Sequence, residues 1–483
     1  MQRRDFLRFG LLAGGLSAFP GLVPSASAAV TLARRSVLSI TLAGGPDFRH
    51  LFPPAIAANE ASDSYAFRWW AARAASQGID AAQRNRDGYY QRYSNAYQPL
   101  NRPGTATPAG FGILASCGWL KQRWDAGELA IVHNVVGAIS RDHAHSLLVM
   151  DHGDRSSGPI DNHKPGWGGR LAAALGSNAR VAALTSSPRA MCLGPGAGGR
   201  ASAELVIGLA NSRKLALSEK PYTPGGPAWQ VASSDKALSL SLKAYYQAKR
   251  FSDPALARIA NHEKVLRDLG SRVTARLGSG ETTASGALVE VPAAIRALYA
   301  DGLPWKSRYW GMQARNLHDV LTLSDVLNTP VLSMDYGGWD THKAQQADIE
   351  ANLDDLFASG KGLDLVWQQL DQAARDNLVI VIYGEFGRQL AANGDAGTDH
   401  GRGNAVLVIG GSVKGGVYGM PFPDRELELF GRNLNDDILG QTGIEHVLGS
   451  VADWVAGGGT GNSVFNRSNS LIEAGFNPSL LFA

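Results

Sequence analysis

Cysteine is nearly absent from this chain: its 483 residues include two, Cys117 and Cys192. That excludes a scaffold stapled by many disulfides. Neither thiol lies near a histidine cluster in the sequence, so a cysteine-based metal site is disfavoured; one disulfide and two buried thiols both stay open. Dense basic runs are missing after the N-terminus. With 46 Lys and Arg against 43 Asp and Glu, the formal charge is only +3, which gives nucleic-acid binding little support. No apolar run reaches the ~20 residues that span a bilayer, so no stable membrane anchor is expected. No internal period recurs, which argues against a repeat array. What is present is the composition of a folded protein, 44% hydrophobic and 18% charged. Glycine is abundant at 57 residues, and that implies many tight loops.

The first 28 residues read as an export leader. Paired arginines, Arg3 and Arg4, precede Phe6 and Leu7, an apolar stretch follows over 9–19, and Ala26-Ser-Ala28 is a small-residue cleavage site. The arrangement resembles the twin-arginine signal, whose translocon exports folded proteins. A metal could then be loaded before export. The mature chain, 29–483, is expected to be soluble and periplasmic or extracellular.

Three short apolar runs late in the chain each adjoin a polar cluster. Residues 331–334 lead into Gly337-Gly-Trp-Asp-Thr-His342. Residues 378–383 lead into Gly384-Glu-Phe-Gly-Arg388. Gly397-Thr-Asp-His-Gly401 stands just before 405–410. Buried parallel strands read as such runs, and ligands bind in the crevice at the carboxyl edge of an open α/β sheet. Asp340, His342, Glu385, Asp399 and His400 are therefore expected to converge, a donor set suited to a divalent metal. Asp340 and His342 point the same way if the strand stays extended; a helix N-cap is the plain alternative. Glu385 is either a ligand or the ion-pair partner of Arg388. Asp399 either binds or orients the His400 imidazole.

Upstream, 37–42 reads as the first mature strand, ending in Ala43-Gly-Gly-Pro-Asp47. A second strand, 129–132, leads into Ser140-Arg-Asp-His143 and His145. There Ser140 and Ser146 are hydroxyl nucleophile candidates. Asp142 and His143 are acid, base or ligand candidates, and Arg141 is suited to hold an oxyanion. Residues 77–110, rich in Tyr and Arg, read as a surface excursion packed by its own aromatics; a platform for a planar ligand is the alternative. Residues 200–330 are the most helical part, with helical spacing over 237–250, 254–277 and 312–327, and read as an insertion or cap. Further helices are expected at 115–126, 166–175, 345–377 (interrupted near 359–360) and 443–454.

Taken together, the leader, the glycine-glycine turn with Asp47, Gly338-Trp-Asp-Thr-His342, Gly384-Glu-Phe-Gly-Arg388, Gly397-Thr-Asp-His-Gly401 and Gly416-Val-Tyr-Gly419 resemble the bacterial domain-of-unknown-function 1501 family. That family looks like a branch of the alkaline phosphatase and sulfatase superfamily, and the likeness spans most of the mature chain. The resemblance implies a single α/β domain: an alkaline-phosphatase-like core, with a mainly parallel central sheet flanked by helices and a helical insertion at about 200–330. It implies one or two divalent metal ions held by Asp47, Asp340, His342, Glu385 and His400, with Arg141 and Arg388 steadying a small-molecule or glycan-linked anionic ester. The expected activity is metal-dependent hydrolysis of phosphate or sulfate esters. The chain also departs from the pattern. Asp142 stands where relatives commonly carry serine, so Ser140 or a water must attack. The spacing of Asp340 and His342 is short, and no Cys/Ser-x-Pro-x-Arg segment supports a formylglycine sulfatase. A non-catalytic envelope or polysaccharide-assembly protein on the same core is the rival expectation.

Overall fold

A computed structural model describes residues 30–482, apart from 33, 156–160, 177, 186, 213–251, most of 252–290, 433–435, 469 and 475. The expected leader, the expected helix at 237–250 and most of that at 254–277 lie outside the described residues.

The chain builds a mixed α/β fold around one large, mostly parallel sheet. Strand β1 is Ser36–Ala43. A small hairpin, β2 (Tyr97–Asn101) and β3 (Pro108–Leu114), stands apart from the sheet. Then come β4 (Leu129–Val136), β5 (Val181–Ala183), a second minor pair β6 (Gly194–Pro195) and β7 (Ala201–Ser202), and β8 (Val206–Gly208). The late strands are β9 (Val331–Gly337), β10 (Leu378–Tyr383), β11 (Asn404–Ile409), β12 (Gly416–Tyr418) and β13 (Thr442–Gly443). The main sheet runs in the order β12-β4-β11-β10-β1-β9-β5-β8, with β13 also on β4. β1 pairs in parallel with both β10 and β9. β11 is antiparallel to both of its neighbours, β10 and β4.

The central strands read as unbroken apolar runs because both faces are covered. Along β10, Leu378, Ile380 and Ile382 point into one buried cluster while Val379, Val381 and Tyr383 point into the other. The first cluster includes Trp310, Ala314 and Leu317 of the helix Trp305–Thr322, and Ile349 and Leu353 of the helix Gln345–Phe357. The second includes Trp167 and Leu171 of Trp167–Ala174, and Val447, Leu448 and Val451 of Ile444–Ala456. Helices thus sandwich the sheet.

Most expected elements appear at the expected places, including the break at 359–360, which separates Gln345–Phe357 from Gly362–Trp367. Within 200–330, Val206–Gly208 is a strand of the main sheet rather than part of a cap. The Tyr-rich excursion also differs from a loop: Arg86–Ala96 is a helix followed by the β2–β3 hairpin. Tyr89, Tyr93 and Tyr97 recur every four residues and bury one face. Tyr93 and Tyr97 stack, and both pack edge-on against Trp70. Their faces are thus used inside the protein. Cys117 and Cys192 are both buried free thiols.

Candidate metal centre

The antiparallel strand explains how the polar clusters meet. Asp340 and Glu385 follow their strands, whereas His400 precedes β11. Because β11 runs against β10 and β4, its leading end lies at the edge where the other strands finish.

At that edge three donor atoms come together. Asp340 Oδ1 lies 2.9 Å from His400 Nε2 and 3.0 Å from His342 Nε2, and the two Nε2 atoms are 2.9 Å apart. The other carboxylate oxygen, Asp340 Oδ2, lies 3.4 Å from His143 Nε2. Ligand atoms of His143, Asp340 and His400 all fall within 4.8 Å of one another. Glu385 is fully buried; its Oε1 sits 2.8 Å from His143 Nδ1 and accepts the Gly44 N–H at 2.8 Å. Gly44 allows that approach. It has φ of +121°, and a Cβ there would fall 2.4 Å from the Asp340 nitrogen.

Outer contacts fix the rings. The His342 Nδ1 is 2.9 Å from Asp399 Oδ1, which also accepts from Asn393 Nδ2 at 3.0 Å. The His400 Nδ1 donates to the Arg141 carbonyl at 2.8 Å. Asp399 therefore orients His342, not the neighbouring His400, and leaves each Nε2 facing the centre. Outer carboxylates of this kind tune metal affinity by 10–100-fold. Asp399→Asn is accordingly expected to weaken metal binding about tenfold or more, read by competition with a chelating dye; unchanged affinity would remove Asp399 from the centre.

Charge is distributed unevenly. Burial pushes the Asp340 carboxyl up, but the His400 hydrogen bond and the Arg388 guanidinium outweigh it and hold the group well below the carboxylate range. Burial lowers His400, which favours its neutral, ligating form. The Asp399 carboxyl is lowered by the Asn393 hydrogen bond and by His342. The His143 ring is raised, chiefly by its hydrogen bond to Glu385, with burial opposing. A histidine raised on folding stabilises the fold fully below its unfolded value near 6.5, and that contribution fades as pH rises through the folded value. Chelator-treated protein is thus expected to lose at most about 1 kcal/mol from this pair across that window, because the ring is one-third exposed. Urea titrations of His143→Gln at several pH values should show the dependence flattened.

The residues fit a divalent ion on two counts. Two ligand atoms each about 2.1 Å from an ion lie about 3.0 Å apart at a right angle and about 3.4 Å at the tetrahedral angle, which are the spacings found here. Glu385 Oε2 is buried without a partner, a cost that a cation or proton would offset.

Other expected site residues are placed differently. Asp47 is buried; Arg73 and Gln345 Nε2 (2.8 Å) take its Oδ2, and its Oδ1 caps the short helix Phe48–Leu51 by accepting from the His50 N–H. It is not drawn into the cluster. Arg388 has no exposed surface, and gives its donors to main-chain carbonyls and to Asp340 Oδ1 (2.8 Å), so it ties loops together rather than meeting a substrate. No ion pair links it to Glu385 among the described residues. Asp142 caps the helix His143–His152 by accepting the His145 N–H at 2.8 Å. The Ser140 hydroxyl accepts from the Asp142 N–H at 3.1 Å, and Ser146 donates to the Ser140 carbonyl. A single Arg141 nitrogen, Nη2, donates to both Asp437 oxygens, each at 2.7 Å. Asp437 and Arg402 carried no sequence signal beyond a glycine-flanked arginine two residues after His400.

Fold and site together define an α/β protein with a carboxylate–imidazole centre at the carboxyl edge of its sheet. The chain belongs to the family described as "Protein of unknown function (DUF1501)", whose profile matches residues 34–446. No curated protein and no solved structure matches it. No helix among the described residues is long and apolar enough to cross a membrane.

Proposed function

We propose that the chain is an exported metal-dependent hydrolase of phosphate or sulfate esters on an alkaline-phosphatase-like core, passed outward by the twin-arginine translocon. The supporting observation is the convergence of Asp340, His342, His400 and His143 around one point. Asp340, His342 and His400 hold one or two divalent ions, with His143 and the open oxygen of Glu385 beside them. The chemistry such ions supply is polarisation of the ester and a lower pKa for the attacking water or hydroxyl. His143 keeps a proton between Glu385 and Asp340, and its raised pKa suits donation to a leaving oxygen. Asp399 and the Arg141 carbonyl hold the other two rings in register. Arg141 lies on the rim, one-third exposed, where an anionic small-molecule or glycan-linked ester would enter.

A non-catalytic envelope or polysaccharide-assembly role is the second reading. One observation favours it: among the described residues no imidazole bonds the Ser140 hydroxyl, so the serine nucleophile is not activated. Elemental analysis of purified protein and a screen of aryl phosphates and sulfates decide between them. About one or two equivalents of divalent metal and turnover of at least one ester class are expected. Protein that stays inert on every ester after reconstitution with metal sinks the hydrolase reading.

A further inference from the structure

The helix Trp305–Thr322 leads into β9, and its first turn holds the most exposed aromatic ring among the described residues. Trp305 is 75% exposed. One of its faces lies on Tyr309, one turn on, with ring centroids 5.4 Å apart and planes 13° from parallel. A scattered apolar side chain on a surface needs no explanation. An indole held flat by a second ring and open to solvent is a different object, because its face is already oriented for stacking.

Polar groups stand beside the pair. The Tyr309 hydroxyl points at Asp335 Oδ2, 3.5 Å away, and Thr185 borders it. Asp335 is only partly buried, and its main chain is fixed. β5 ends at Ala183, opposite Ser333 of β9. Beyond that point the buried side-chain amide of Gln313 takes over the pairing: it accepts the Asp335 N–H at 3.0 Å and donates to the Asp335 carbonyl at 2.7 Å. Little ordering is left to be done when a ligand arrives. Arg189 gives Nε (3.1 Å) and Nη2 (2.8 Å) to Asp151 Oδ1, and its charge also reaches Asp335. Two carboxylates thus share one guanidinium, so the surroundings favour a neutral ligand that donates hydrogen bonds. The site adjoins the metal centre. Lys306, next to Trp305, donates to Asn352 Oδ1, and Asn352 Nδ2 donates at 2.9 Å to the carbonyl of Gly338, two residues before Asp340.

We propose that Trp305, Tyr309 and Asp335 form a binding site for a neutral glycan beside the imidazole–carboxylate cluster. A pyranose ring has a flat C–H face that packs on an aromatic platform and a rim of hydroxyls that donate to a carboxylate. Trp305, backed by Tyr309, takes the face of one ring; Asp335 accepts hydroxyls of that ring or the next. Its role as the substrate's sugar subsite rests on the hydrolase reading; its affinity for a free oligosaccharide does not.

The test is calorimetric titration of purified protein, before and after chelator treatment, with cellohexaose, chitohexaose and maltohexaose, and with adenine as a planar ligand that is not a sugar. Saturable binding of at least one hexasaccharide is expected in both states, with adenine weaker. Trp305→Ala should weaken it about tenfold or more, and Trp305→Phe should keep part of it. Asp335→Asn should also lose affinity, because hydrogen bonds to an ionised group are the stronger ones. Tyr90→Ala, which removes an exposed aromatic elsewhere, should bind as wild type does. Thermal unfolding of each variant separates a lost site from a lost fold. Affinity unchanged in either Trp305→Ala or Asp335→Asn overturns the site, as does adenine binding as tightly as every hexasaccharide, or no hexasaccharide binding at all. That last result leaves the hydrolase reading standing if an ester is cleaved. Saturable, Trp305-dependent glycan binding in a protein that cleaves no ester sinks the hydrolase reading and leaves the glycan site standing.

Discussion

Asp340→Ala is expected to abolish both metal retention and ester turnover while the protein stays folded. The carboxylate is the hub of the centre: its Oδ1 lies within 3.0 Å of His342, His400 and Arg388, and its Oδ2 faces His143. Outer partners of a metal already cost 10–100-fold in affinity when lost, so the hub should cost at least about a hundredfold. The side chain is partly exposed, and its removal opens the rim rather than an apolar cavity. A modest change in unfolding midpoint is therefore expected. The informative readouts are metal content after gel filtration and initial rates on whichever ester the wild type cleaves. Asp340→Asn sharpens the result. It keeps the size and one acceptor oxygen but removes the charge, and it should retain less metal than wild type if the site binds a cation. Wild-type metal content in both variants would show that the cluster is a hydrogen-bonded network and nothing more.

What could be read in the sequence follows from what each signal depends on. Strands β1, β10 and β11 were legible because both faces of each are covered, and covering makes an apolar run. The meeting of Asp340, His342 and His400 was legible because strand ends gather at one edge. The direction of β11 was not legible, since an apolar run carries no sign of its orientation. The partner of Asp399 was misplaced for a related reason: sequence neighbours share no face in an extended loop, and the carboxylate points back to His342. Asp47 and Asp142 were expected as ligand and catalyst; both cap helices, and Asp47 also pairs with Arg73. An aspartate before a helix carries both meanings in sequence, and only the three-dimensional partner tells them apart. The tyrosine segment hid its helix because its polar residues outweighed a four-residue spacing. The Arg402–Asp437–Arg141 cluster joins residues up to 296 positions apart, beyond any local pattern.

Arg388 carries the second large prediction, and it concerns folding. Its guanidinium is buried after β10 and donates to the carbonyls of Gly44 and Gly45 after β1, of Trp339 after β9 and of Thr398 before β11, as well as to Asp340. Burial lowers its pKa, and the Asp340 carboxylate opposes that shift. One side chain thus ties together the loops that build the centre. Arg388→Met fills similar space but strips those acceptors of their donor. Breaking one partner of a buried charged network typically costs about 3–5 kcal/mol, against a total stability of about 5–15 kcal/mol for a typical protein. Arg388→Met is expected to lose that much by urea titration, or to accumulate as insoluble protein. Arg388→Lys should recover only part, because three donors on a tetrahedral ammonium cannot serve acceptors arranged around a planar five-donor group. Metal affinity should fall in any Arg388 variant that folds, since Asp340 loses the partner that holds its carboxylate in place. An Arg388→Met protein within about 1 kcal/mol of wild type, with metal affinity unchanged, would show that the loops hold without it.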